Sequence, residues 1–238
     1  MRDEHREGAN MAQGKKFTDA TKKYDRDALH SVSDATALVV SFPKRNFDET
    51  VDMVMRLGVD PRKADEMIRG TVSLPAGTGK AVRVAVFAQG DQAQAARDAG
   101  AEFVGADDLA EQIEGGMLDF DVTIAAPDMM PLVGKLGRVL GPRSLMPNPK
   151  TGTVTPDVAK AVEEFKGGKV EFRTDKFANV HVPVGKVSFS PEDLTTTINA
   201  VVEEIKRLKP AGAKGQYIRK ANISSTMGPG IKLDVGAF

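Results

Sequence analysis

Two kinds of strand pattern divide this chain, and their order along it constrains the fold more than any single motif. From Phe47 to Leu57 the residues alternate, with Val51, Met53, Met55 and Leu57 on one face, the period-two signature of a half-buried strand. The same texture returns late in the chain. Val170 and Phe172 alternate with Glu171 and Arg173, and Val180 and Val182 alternate with His181 and Pro183, which predicts a pair of half-buried strands. Between these regions Val82, Val84 and Val86 lie in a nearly continuous apolar run, as a strand covered on both faces requires. A short helix around Gln92–Asp98, a strand at Glu102–Val104, a helix at Asp107–Glu114 and a strand at Val122–Ala125 follow. This βαβα alternation with short connections predicts a small parallel-sheet unit. The simplest architecture is one domain built from both chain ends, with the middle inserted into it.

Local punctuation fills in the remainder. The first thirty or so residues are polar and lack a sustained period, so residues 1–30 read as an extension that is flexible or drapes on the surface. Ser33 can cap a helix over Asp34–Ser41, and Asp60-Pro61 starts a short helix through Ile68. Thr155-Pro156 opens another helix, with threonine as cap and proline at the first helical position. Ser190-Pro191-Glu192-Asp193 is a strong helix start, followed by Leu194, Ile198, Val201, Val202, Ile205 and Leu208 on one stripe. Two last strands fit Tyr217–Ser224 and Ile231–Val235. The expected fold class is therefore α/β, with a split sheet domain formed by residues 1–70 and 157–238 and an inserted domain at 71–156. Gly70 and Pro156, which end elements at the two crossings, are the expected hinge.

Composition removes several classes of function. The chain has 238 residues, enough for one large domain or two modest ones, and no cysteine, which excludes disulfides, thiolate metal sites and cysteine nucleophiles. His5, His30 and His181 lie far apart and form no zinc-type pair, so no metal and no cofactor is expected. No apolar run is long enough to cross a bilayer, and the N-terminus is too polar for a secretory signal; a cytoplasmic protein without membrane contact is expected. Net charge is zero but unevenly placed. Residues 1–69 carry 13 Lys and Arg against 13 Asp and Glu, residues 70–158 carry 7 against 11, and residues 159–238 carry 13 against 9. If the chain holds a polyanion, the expected grip is the part that contains the C-terminal segment.

Few motifs suggest catalysis. Gly77-Thr78-Gly79-Lys80 is too short for a phosphate-binding loop, precedes a strand, and has Ala81 where a magnesium-binding hydroxyl belongs. Asp107, Asp108, Glu111 and Glu114 fall on one helix face and read as a solvated surface. The stretch Val133–Lys150 sets Lys135, Arg138, Arg143 and Lys150 on a frame broken by Gly134, Gly137, Gly141, Pro142, Pro147 and Pro149. Leu132, Val133, Leu136, Val139 and Leu140 form its apolar stripe. Lys166, Lys169, Arg173, Lys176 and Lys186 cluster around the paired strands, and Ser224–Pro229 offers three hydroxyls on a tight turn. Cations and hydroxyls of this kind suit phosphates and 2′-hydroxyls of RNA. An enzyme using the parallel-sheet unit and a sequence-indifferent nucleic-acid chaperone are the other classes open at this point.

The order of residues from Gly134 to Asp157, GKLGRVLGPRSLMPNPKTGTVTPD, resembles the signature of the bacterial ribosomal protein L1 family, and the likeness covers nearly everything from Met11 to Val235. Met11-Ala12 before Gly14-Lys15-Lys16 is similar to the family's usual start, leaving residues 1–10 as an unusual leader or a start-site choice. The resemblance implies a split βαβ (α+β) sheet domain joined by two crossings to a Rossmann-like α/β domain. It implies a non-enzymatic component of the large ribosomal subunit that binds 23S rRNA at the mobile stalk. It also implies help in releasing deacylated tRNA from the E site, and repression of its own operon through the mRNA. No homo-oligomer is expected. Matching residue by residue, the RNA contacts implied are Phe47, Thr50, Lys176, Lys186, Thr226, Met227 and Gly228, with Arg173, His181 and Ser188 beside them. Lys135, Arg138, Arg143 and Lys150 become a second contact, to stalk RNA or tRNA. The family usually has lysine or arginine immediately before the phenylalanine. Here Asn46 stands there, with Arg45 or Lys44 as the substitute.

Overall fold

A computed structural model describes residues 14–43 and 45–238. In chain order its main elements are α1 (Lys15–Thr21), α2 (Val32–Ser41), β1 (Thr50–Leu57), β2 (Arg69–Ser73), β3 (Val84–Phe87), α3 (Gly90–Asp98), β4 (Phe103–Gly105) and α4 (Asp107–Glu114). There follow β5 (Val122–Ala125), α5 (Met130–Lys135), α6 (Gly137–Leu140), α7 (Val158–Lys166), β6 (Lys169–Arg173), β7 (Asn179–Lys186), α8 (Pro191–Arg207), β8 (Ile218–Ser225) and β9 (Ile231–Leu233). The fold is mixed α/β with three sheets.

Strand β1 is central to the largest sheet, ordered β7-β1-β8-β9 and antiparallel throughout. Both of its partners come from the last third of the chain. Its alternation works as the period requires: Val51, Met53, Met55 and Leu57 are buried under α2 and α8, against Val39, Leu194, Ile198, Val201 and Ile205. Asp52, Val54 and Arg56 point the other way, onto a face that no helix covers. Ser190 caps α8 by accepting the Asp193 N–H at 3.1 Å, as the sequence predicts. Helix α2 begins earlier than predicted, because Ser31 rather than Ser33 accepts the Asp34 N–H.

The middle of the chain forms a parallel sheet ordered β4-β3-β5. Val84 and Val86 of β3 pack toward α3 and α7, while Ala85 and Phe87 pack toward α4, α5 and α6. Two cores on two faces account for the unbroken apolar run. The glycine-rich stretch after β5 keeps its expected stripe, with Val133, Leu136 and Leu140 buried, but the helix breaks at Leu136 into α5 and α6. Beyond it Asn148, Thr151 and Thr153 tie a polar knot. The Asn148 N–H donates to Thr153 Oγ1 at 2.7 Å, and both threonine hydroxyls reach the Asn148 carbonyl at 3.0 and 3.1 Å.

Four expectations change. The helix from Asp60 to Ile68 reduces to one 3₁₀ turn, Ala64–Glu66, since Glu66 folds back to accept the Asp60 N–H at 2.7 Å. The strands β6 and β7 share only the bridge Thr174–Val180; β6 pairs with β2 in a separate ribbon and β7 with β1. Helix α7 starts at Val158 with Asp157 as its cap, so Thr155-Pro156 does not open it. Residues 14–30 are not featureless: α1 buries Ala20, the Tyr24 hydroxyl donates to the Gly230 carbonyl at 2.9 Å, and His30 bridges Leu233. Residues 1–13, including Met11-Ala12, lie outside the described residues.

Gly70 and Pro156 adjoin packed elements. Gly70 lies mid-strand in β2 opposite Phe172, and a Cβ there would stand 2.6 Å from Leu208 Cδ1. Pro156 precedes a helix whose Val158, Val162 and Phe165 are buried against the parallel sheet. The chain passes between the sheets at Leu74–Gly77 and Gly167–Gly168, where the Leu74 N–H donates to the Gly168 carbonyl at 3.1 Å. Gly168 has φ +104°, and a Cβ on it would lie 2.6 Å from Gly77 Cα. Gly116 has a similar φ of +99° with open space around it. Gly116→Ala should therefore show only the backbone strain of about 1–3 kcal/mol. Gly168→Ala, with a backbone collision added, should cost clearly more; paired urea denaturation curves would measure the gap.

Candidate nucleic-acid interface

The turn after β8 is held from four directions. The Thr226 N–H donates to the Thr50 carbonyl at 3.0 Å, and the Thr226 hydroxyl accepts the Thr50 N–H at 3.1 Å. Glu49, only 6% exposed, accepts the Met227 N–H at 2.9 Å and lies 3.7 Å from the Arg45 guanidinium. Arg45 in turn donates to the Met227 carbonyl at 3.4 Å. The Gly228 N–H closes the turn on the Ser225 carbonyl at 3.0 Å, and any side chain at 228 would collide with the Ser225 hydroxyl. Both polar backbone groups of Met227 are thus occupied, while its side chain is 53% exposed. Phe47, two residues before Glu49, is 54% exposed. Residues about 180 positions apart in sequence therefore meet at one turn.

The segment Phe47-Asp48-Glu49-Thr50 divides its labour. Asp48 takes the Ser188 hydroxyl at 2.7 Å and the Ser188 N–H at 3.2 Å, fixing the loop between β7 and α8. Thr50 Oγ1 accepts from Lys186 Nζ at 2.9 Å, and the Asp48 carbonyl lies 3.4 Å from the same ammonium. Both of these acceptors are neutral, and Asp52, which interacts electrostatically with Lys186, is the carboxylate beside it. Ser188, by contrast, is already committed to Asp48. Arg45, the expected substitute for a cation at position 46, is engaged by Glu49 and the Met227 carbonyl; Lys44 lies outside the described residues.

The remaining predicted residues lie along the open face and at its far end. Asp52 stands between His181 and Lys186. Burial raises its pKa above the ordinary aspartate value, against the pull of those two neighbours. His181 Nε2 lies 3.6 Å from Asp175. Lys176 is exposed in the turn before β7, a strand that spans about 23 Å from Asn179 to Lys186 by strand rise. Arg173 is exposed at the end of β6 and touches Met67 Sδ at 3.7 Å. Burial opposes the charged Asp175, but hydrogen bonds from the Asn179 backbone and side chain, Phe177 and His181 outweigh it and hold its pKa below the ordinary value. Lys135, Arg138, Arg143 and Lys150 are all exposed on α5, α6 and the following loop, and none is ion-paired with another described residue. Lys80 of the glycine loop pairs with Asp121 at 2.7 Å, and Asp108 accepts the Ala106 N–H at the start of α4.

Glu49 is a buried supporting residue outside the set of expected contacts. Its signal was present: Glu49 has the same parity as Val51 and Met53, and a carboxylate at a buried position demands partners. No described helix is long and apolar enough to cross a membrane.

A sequence model described as the Ribosomal protein L1p/L10e family matches residues 39–229. The large ribosomal subunit protein uL1 of Cutibacterium acnes is 60% identical over 224 residues, covering 94% of this chain and 97% of that protein. The protein of the same name from a Nocardioides species is 58% identical over 94% of this chain and 93% of its own length. That of Thermobifida fusca is 55% identical over 95% and 97%.

Two outcomes follow from the geometry. Glu49→Ala strips the acceptor from the Met227 amide and the partner from Arg45. It should cost about 1–3 kcal/mol and speed hydrogen exchange at Met227 and Gly228. A depressed aspartate pKa contributes stability above the ordinary value and loses it as pH falls through the folded value. The Phe177 and Asn179 amides should thus stay protected on acidification until below the ordinary aspartate range, then open, as an NMR titration would show.

Proposed function

The chain belongs to the Ribosomal protein L1p/L10e family, and from that membership we propose that it is a structural, non-enzymatic RNA-binding protein of the large ribosomal subunit. Its compartment is the cytoplasm, where the ribosome works. On this reading the ligand is the mobile stalk of 23S rRNA. Phe47, Thr50, Lys186, Thr226, Met227 and Gly228 supply the anchor, with Arg173, Lys176, His181 and Ser188 around it.

One observation carries this reading: the turn at Thr226–Gly228 is immobilised by Thr50, Glu49 and Arg45 while the side chains of Met227 and Phe47 remain outside. A site already rigid spends little entropy on binding a folded RNA surface. Two apolar side chains held out of the core would face the flat surface of a base or a ribose, and the Lys186 ammonium a phosphate.

The rest of the molecule follows as two bodies. We draw the first as residues up to about Gly77 together with Gly168–Phe238, and the second, Rossmann-like, as the segment between. The crossings at Leu74–Gly77 and Gly167–Gly168 then serve as the hinge. The first body anchors, and the second carries Lys135, Arg138, Arg143 and Lys150 toward stalk RNA or E-site tRNA, assisting release of deacylated tRNA. A messenger that copies the stalk shape would be held by the same anchor, which supports repression of the chain's own operon.

Excising residues 78–167 and joining Gly77 to Gly168 through one or two glycines tests the anchor. The two residues already touch, so the join asks for little rearrangement. The shortened chain, if folded by circular dichroism and thermal melting, should keep most of the affinity for a stalk transcript. Loss of most binding by that folded chain would remove the proposal.

A further inference from the structure

The chain has no cysteine, so its oxidisable sulfur lies in ten methionines. Met1 and Met11 fall outside the described residues. Met53 and Met55 are fully buried on β1, and Met117, Met129, Met130 and Met146 are half-buried against the core of the parallel sheet. Exposed methionine is therefore confined, among the described residues, to Met67 and Met227. Oxidants reach sulfur that is open to water, so the choice falls between these two.

Their sulfurs stand in different surroundings. Met67 Sδ accepts from the Arg173 guanidinium at 3.7 Å, a donor that draws on the electrons an oxidant would receive. The hydrogen bonds of Met227 with other described residues are made by its backbone, to Glu49 and from Arg45. None of them engages its thioether. Those bonds, with the pairing of Thr226 and Thr50, also fix the turn, so the folded chain presents this side chain without any local opening.

We propose that Met227 is a redox modification site: a peroxide converts its thioether to the sulfoxide in the free chain, and the sulfoxide weakens binding of the RNA held at this turn. A sulfur lone pair attacks one peroxide oxygen, an S–O bond forms and the O–O bond breaks. The departing hydroxide takes the proton left on the transferred oxygen and becomes water. Sulfur gives up two electrons and the peroxide accepts them. A sulfoxide reductase reverses the change with two thiols, giving thioether, disulfide and water. The inference rests on the RNA-binding reading above, in which Met227 meets a base or a ribose through an apolar surface. A sulfoxide places a strong acceptor oxygen there, and burying that oxygen without a donor costs affinity. Bound RNA covers the sulfur in turn, so a chain already seated on RNA is shielded and a free one is not.

The test treats the full chain with hydrogen peroxide, alone and saturated with a transcript of the 23S rRNA stalk, and maps oxygen uptake by peptide mass spectrometry. Met227 should oxidise before Met67 in the free chain, and the transcript should slow Met227 while leaving Met67 unchanged. The treated chain should bind the transcript about tenfold more weakly, and a methionine sulfoxide reductase with dithiothreitol should restore it. Met67→Leu should respond to peroxide as the wild type does, whereas Met227→Leu should have the same affinity before and after treatment. Oxidation of Met67 as fast as Met227 overturns the site. Undiminished affinity in a chain fully oxidised at Met227, or an equal loss in treated Met227→Leu, overturns the effect on binding. A chain that ignores the transcript before any treatment removes the RNA reading and this inference with it.

Discussion

Strand β1 is paired on both edges by strands that follow it by more than a hundred residues, and everything on the open face depends on that pairing. Its register does two jobs. It puts Val51, Met53, Met55 and Leu57 under α2 and α8, and it sets Thr50 opposite Lys186 and beside Thr226. Because the side-chain period is two, a slip by one residue would expose the core set and bury Asp52 and Arg56. The burial that stabilises the sheet thus also fixes the geometry of the candidate site. Insertion of a large segment between β2 and β6 is cheap by comparison, since loop-closure entropy grows only with the logarithm of length, about 0.6 kcal/mol for each doubling.

The polar residues of the site mostly face inward. Asp48 is occupied by Ser188, Glu49 by Met227 and Arg45, and the Thr226 hydroxyl by Thr50. A buried carboxylate such as Glu49 is tolerable only with such partners. What is left for a ligand is small and definite: two apolar side chains and the Lys186 charge near the turn, then the residues along β7. A motif that looks like a row of ligand contacts is in large part the scaffold that presents a few of them.

Much of this was legible in the sequence where one local period decides the outcome. The buried faces of β1 and α8, the double-sided burial of β3 and the bounds of α4 and β5 all follow from spacing. Features set by long-range packing were not legible. Gly70 and Pro156 look like punctuation, yet β2 runs through the first, and the second precedes a helix committed to the parallel sheet. Alternation identified β6 and β7 as strands but not their partners, because a ribbon with β2 leaves the same pattern as a hairpin. The candidate contacts came mainly from likeness to a family. Parity alone would have flagged Glu49, and the exposure of Met227 beside an engaged Met67 sulfur needed coordinates.

Charge shows why totals mislead for a chain of this kind. A net charge of zero argues against a polyanion partner only if all charges act at once, and salt limits their reach to about 8–10 Å. The open sheet is longer than that along β7 alone. Helix α7 carries two lysines and two glutamates, so transferring it to the middle segment leaves the imbalance between the segments unchanged. The acidic middle and the cationic sheet face therefore act as separate surfaces. At that range the acidic residues of the middle segment do not cancel the field of Lys186, Arg56 and Lys220 on the sheet face. Asp52 fits the same pattern: the sheet half-buries a carboxylate between His181 and Lys186 and raises its pKa, so the one acidic side chain in the middle of the open face is the one least favoured in its charged form.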